Sequence, residues 1–142
     1  MLRALLLFFS LLLTACSFAP GEGELAEMLD RHYERQLGPG VVLVRNLEKV
    51  NGRELGSDRY LVDVKYDLVF LKSFDELASE TEGQAEQGRW LSAISGGLNL
   101  WQLSLQFGQF QRGDVRHLDE RHELLKTEQG WDLASAWEDQ EP

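Results

Sequence analysis

Apolar and polar positions divide the chain into six stretches with different periods. Across residues 24–37, Leu25, Met28, Leu29, His32, Tyr33 and Leu37 recur near i, i+3, i+4, i+7 and i+8, which predicts an amphipathic helix. Glu22, Glu24 and Glu27 at its start and Arg31 and Arg35 near its end suit the helix dipole, and Gly38-Pro39 stops it. Residues 41–50 are Val-rich and predict a strand; Asn51-Gly52 opens a turn that runs to Asp58. In residues 60–71, Tyr60, Val62, Val64, Tyr66, Leu68 and Phe70 alternate with Asp63, Lys65 and Asp67. That period of two predicts a strand with one wet face, paired antiparallel with its predecessor as a hairpin.

The second half of the chain is less regular. Residues 73–87 are polar and acidic and predict a loop, with a helical turn at 75–78. Residues 90–107 fit two periods. Trp101, Leu103, Leu105 and Phe107 alternate as in a strand, while Leu91, Ile94, Leu98, Trp101 and Leu105 fall at helical spacing. No β-branched residue lies between Gly97 and Gln111, Leu and Gln favour helix, and Phe107-Gly108 is a natural stop. Helix is therefore favoured, weakened at Gly96-Gly97, with strand as the alternative. Residues 115–127 predict a long polar strand. Glu128-Gln129-Gly130 turns the chain into a last strand over 131–137, with Trp131, Leu133 and Trp137 on one side. The predicted class is α+β in the order α-β-β-α-β-β: a four-stranded antiparallel sheet with helices on one face.

The N-terminus follows a different logic. Arg3 precedes an apolar run over residues 4–13 in which Ser10 is the one polar residue. Ten helical residues span roughly 15 Å, about half a bilayer core, which suits an export signal and not a permanent span. Leu13-Thr14-Ala15-Cys16 resembles the lipobox of bacterial lipoprotein precursors. The resemblance implies removal of residues 1–15 and a diacylglyceryl (palmitate-bearing) group on the Cys16 thiol. It makes the membrane a partner through that anchor. In that family the residue after the Cys steers sorting, and Ser17 implies the inner leaflet of the outer membrane, facing the periplasm. Cys16 is the one Cys of the chain, so an intrachain disulfide is excluded, and lipidation removes a thiol that would otherwise be free in an oxidising envelope.

Processing leaves residues 16–23 as lipidated Cys and Pro/Gly tether, residues 24–137 as a single domain and residues 138–142 as an acidic tail. Without the signal, 13 basic residues face 24 acidic ones, because Arg3 is the one charge removed. Such a domain is repelled by anionic lipid and nucleic acid, and nucleic acid is excluded as a partner. The ending Lys126-Thr127-Glu128-Gln129-Gly130-Trp131 resembles the final hairpin of small NTF2-like or cystatin-like domains, a likeness that implies a curved sheet and a helix around an apolar space.

Catalytic motifs do not survive their spacing. His122-Glu123-Leu124-Leu125-Lys126 misses the zinc pattern HExxH because Lys126 stands at the second His. His117 and His122 are five apart, which in a strand puts them on opposite faces, so the segment predicts a solvated strand of mixed charge. Ser95-Gly96-Gly97 is no nucleophile elbow, Arg112-Gly113-Asp114 is a turn tripeptide, and no phosphate or dinucleotide loop occurs. No cofactor, metal or catalytic residue is assigned. Tyr60, Tyr66, Trp101, Trp137 and His32 remain as candidate ligand or partner contacts, with Trp137 first for exposure. Two functions stay open: a lipid-anchored, non-enzymatic envelope accessory with an unidentified envelope protein partner, or a module binding a small apolar ligand between the sheet's Tyr60/Val62/Val64/Tyr66 face and the helix of Leu98 and Trp101.

Overall fold

Every second residue of strand β2 (Arg59–Phe70), from Tyr60 to Phe70, is buried, while its intervening residues are partly or fully exposed. This strand is the spine of the sheet in the computed structural model, which describes residues 19–86 and 100–138. Strands β1 (Val42–Glu54) and β3 (Val115–Thr127) flank it, both antiparallel, and β4 (Gly130–Leu133) pairs with the end of β3. The strands lie in chain order, β1-β2-β3-β4, a meander without crossovers. The α+β class and the four-stranded antiparallel sheet follow the pattern in the sequence.

Helix α1 (Glu22–Leu37) lays Leu25, Met28, Leu29, Tyr33 and Leu37 on the apolar face of the sheet. Gly38, at φ 90°, closes it by donating its N–H to the Glu34 carbonyl at 2.9 Å, a conformation that favours glycine. The helix begins two residues inside the expected tether. Pro20 is already buried, its carbonyl accepts a 3.0 Å hydrogen bond from Lys49 Nζ, and Glu22 accepts another from the Lys49 backbone N–H. Strand β1 breaks its alternation between Arg45 and Glu48, where Asn46 sits at φ 51°. Asn tolerates the left-handed region better than most residues, and its side chain reaches Asp67 at 2.7 Å.

Two expectations require correction, and one alternative falls away. The polar stretch after β2 is not a loop but helix α2 (Phe74–Glu86). Its start is a reciprocal cap: Ser73 Oγ accepts from the Glu76 N–H at 3.2 Å, and the Glu76 carboxylate accepts from the Ser73 N–H at 2.7 Å. Phe74 and the buried Leu77 give this helix its inward side. The end of the ambiguous stretch is helix α3 (Leu100–Phe107), so the strand alternative fails there; residues 90–99, with Ser95 and Leu98, lie outside the described residues. The last strand stops at Leu133. Ala134 closes it by donating to the Glu123 carbonyl at 2.8 Å, and the chain turns into the short helix α4 (Ser135–Glu138). Trp137 therefore does not share a strand face with Trp131 and Leu133.

The far end of the core is aromatic. Phe110 stacks on Phe70 at 4.1 Å between ring centroids, Phe107 meets Phe70 edge-on at 5.5 Å, and Phe74 meets Phe110 edge-on at 5.9 Å. These contacts tie the C-terminal end of β2 to α2, α3 and the segment before β3.

Candidate functional site

The outer face of the sheet is closed by its own charges. Asp63 pairs with Arg121, Lys65 with Asp119 and Asp67 with His117, each directly opposite in the β2–β3 register. Arg121 holds the Asp63 carboxyl below its ordinary range, and Asn46 with His117 does the same for Asp67. Such exposed pairs add little stability each but leave this face with few unsatisfied charges for a ligand. Among the described residues no group of three His, Cys, Asp or Glu is placed to hold a metal, and no helix is long and apolar enough to cross a membrane.

The inner face carries a polar chain that the sequence pattern missed. The hydroxyls of Tyr33 and Tyr66 are 2.7 Å apart, and Tyr66 donates to Glu120 Oε2 at 2.6 Å. His122 Nε2 lies 3.1 Å from the same oxygen, close enough for an ion-pair contact but off-line for a hydrogen bond. His122 and Tyr66 hold the Glu120 carboxyl below its ordinary range, against the opposing effect of burial. Residues 117–123 were expected as a solvated strand. His117, Asp119 and Arg121 fit that, but Glu120 and His122 share the inner face with Leu118 and Leu124. The signal was available: Leu118 and Leu124 are both even-numbered, and period two carries that face through 120 and 122. His117 and His122 do lie on opposite faces, as their offset requires.

Burial pushes the Tyr33 hydroxyl up to about 12 and the Tyr66 hydroxyl further in the same direction. A group whose pKa rises on folding favours the fold while protonated. This contribution is therefore complete below the ordinary tyrosine value of 10.0 and is lost as pH rises through the folded value. In a spectroscopic titration at 295 nm, neither Tyr33 nor Tyr66 should contribute full tyrosinate absorbance at about pH 11 while the fold persists. Both should ionise together on unfolding. Full ionisation of all three tyrosines below that pH, with native circular dichroism retained, contradicts the buried pair.

The five candidate contact residues do not converge. Tyr60 is buried, with Trp131 5.9 Å away and Lys49 Nζ 4.9 Å over its ring. A Cβ at Gly52 would stand 2.1 Å from the Tyr60 hydroxyl, so glycine is needed there for close approach. Tyr66 is occupied by Tyr33 and Glu120. His32 is half-buried with its ring edge-on to Tyr33 at 5.5 Å. Trp101 lies on α3, its side chain outside the described ones, and Cys16 lies outside the described residues.

Among the candidates whose side chains are described, Trp137 is the most open, 45 % exposed. It lines a groove of about 710 Å³ between α1 and the β3–β4 end of the sheet. Arg31 and Arg35 line it from α1, and Glu128, Trp131, Asp132 and Trp137 from the C-terminal end of the chain's described part. Trp131 is a fixed surface, packed on the core with Lys126 Nζ 6.0 Å from its ring. Arg31 reaches Glu27 only at 3.9 Å, and Arg35 has no ion-pair partner among the described residues. The sequence marked Trp137 by its position; the two arginines were read there as dipole complements only.

No family model matches the chain, and neither a curated protein nor a solved structure matches it.

Proposed function

We propose that the chain is a lipid-anchored envelope protein without enzymatic activity, held at the periplasmic face of the outer membrane through Cys16. Its groove between α1 and the β3–β4 end docks a segment of another envelope protein. The observation that carries the docking half is the groove itself: an exposed Trp137 and Arg35, without an ion-pair partner among the described residues, both line about 710 Å³. Tryptophan and arginine are the side chains that most often dominate protein interfaces. Together they suit an extended segment that places an apolar side chain on Trp137 and a carboxylate on Arg35. The lipobox Leu13-Thr14-Ala15-Cys16 carries the anchoring half. Occupation of the Tyr60/Val62/Val64/Tyr66 face by buried side chains under α1 argues against a small apolar ligand at that face.

A photo-reactive residue at position 137, in cells, should give one discrete adduct. The same residue at position 63, on the charge-paired outer face, should give none. Arg35→Glu should reduce the adduct by about tenfold, the effect of about 1.4 kcal/mol in affinity. Equal labelling from both positions, or an adduct indifferent to Arg35→Glu, removes the groove as a docking site.

A further inference from the structure

The outer edge of β3 is only partly covered. β4 pairs with residues 124–127 and leaves at Leu133. The Ala134 N–H bonds the Glu123 carbonyl, and the Lys126 N–H points the other way, to Asp58. Odd-numbered residues of β3 therefore turn their backbone N–H and C=O groups away from β2. Those of His117, Asp119 and Arg121 take no partner among the described residues. A bare edge of this length is a template for another strand.

We infer that this edge pairs with the same edge of a second copy, antiparallel, about a two-fold axis at Leu118. The argument is charge complementarity in one register. With the axis at Leu118, His117 and Asp119 exchange the backbone hydrogen bonds with Asp119 and His117 of the second copy. In the non-hydrogen-bonded positions Leu118 meets Leu118, and Arg116 meets Glu120. Each cross-strand charge pair occurs twice by symmetry, and the centre is apolar. Leu118 already packs partly against the core, and the Glu120 side chain, 36 % exposed, is reachable from the edge.

Neighbouring registers are worse on the same criterion. An axis at Asp119 sets Asp119 against itself and His117 against Arg121; an axis at Glu120 sets Glu120 against itself. Like charges directly opposite destabilise a sheet, whereas opposite ones stabilise it. The sequence Arg116-His117-Leu118-Asp119-Glu120 thus reads as its own complement when run backwards: basic, basic, apolar, acidic, acidic. The product is one eight-stranded sheet. Its two-fold axis is perpendicular to the sheet and leaves both α1 helices, and both Trp137 grooves, on one face. The inference is independent of what the groove binds.

Directly opposite residues in a non-hydrogen-bonded pair have Cα atoms about 4.5 Å apart, within disulfide reach. Full-length chain carrying Cys16→Ser, to leave one thiol, together with Leu118→Cys, oxidised mildly, should therefore run as a covalent dimer on a non-reducing gel, and the comparisons below use the same Cys16→Ser background. Arg116→Cys, two residues off the axis, should stay monomeric. Asp119→Pro removes an outward N–H and no bond to β2, and Arg116→Glu sets like charges opposite at the symmetric pair. Either should lower the Leu118→Cys yield by about tenfold with circular dichroism unchanged. Equal yields at positions 118 and 116 indicate random collision and overturn the proposal. So does a monomeric Leu118→Cys chain, or a yield indifferent to both blocking substitutions.

Discussion

Phe70→Ala should cost the domain about 3–5 kcal/mol, the largest loss expected from any single truncation in the described core. Phe70 is fully buried, stacked on Phe110 and met edge-on by Phe107. Both its backbone groups are bound to the segment before β3, the N–H to the Asp114 carbonyl at 2.9 Å and the carbonyl to the Gly113 N–H at 2.7 Å. Removing the ring leaves a void where β2, α3 and the approach to β3 meet, and surroundings fixed by those hydrogen bonds cannot collapse into it. Small domains hold about 5–15 kcal/mol in total, so the variant should sit near the edge of folding. With a urea slope of about 2 kcal/mol per molar, the unfolding midpoint should fall by about 2 M. Leu71→Ala, one residue on and 37 % exposed, should change stability by about 0.5 kcal/mol or less. Equal midpoints for the two variants would show that the aromatic cluster does not organise this end of the core.

The second large effect concerns place. Under the proposed anchoring, Cys16→Ser moves the chain from the membrane fraction to the soluble one. At about 0.8 kcal/mol per buried methylene, two or more acyl chains bind a membrane stably, and the loss of all of them changes partition by many orders of magnitude. Nothing in the acidic domain replaces that attraction, since its net charge is repelled by anionic lipid. Fractionation and mass spectrometry of the mature N-terminus read the outcome. A variant that still pellets with membranes, or a wild-type terminus without lipid, ends the lipoprotein reading.

The sheet was legible where one face is wet. Tyr60 to Phe70 alternate without a break because charge can face water on the other side, and that pattern alone orients the spine strand. Helix α2 was hidden by composition. Its polarity suggests a loop, but Phe74 and Leu77 turn inward, and its start is written in Ser73 and Glu76, three apart as a capping pair requires. Trp137 misled in the opposite way. It continues the alternation of Trp131 and Leu133, yet Ala134 closes the ladder and the chain turns helical. The polar chain of Tyr33, Tyr66, Glu120 and His122 could not be assembled from one strand at a time. Tyr33 and Glu120 are 87 positions apart in the sequence and are joined only through Tyr66. The groove has the same origin: Arg31 and Arg35 gain meaning once α1 is laid beside β4.

Pro20 and Lys49 bear on how such a domain would respond to its anchor. Because the chain is clasped to β1 from Pro20 onward, only the four peptide links from Cys16 to Pro20, about 14 Å at full stretch, remain as leash. Under the proposed anchoring, a tug from the bilayer would be delivered to the middle rung of an edge strand, and not dissipated in slack. The domain should therefore tilt with its anchor, keeping one flank toward the lipid surface and limiting the directions from which a neighbour can approach.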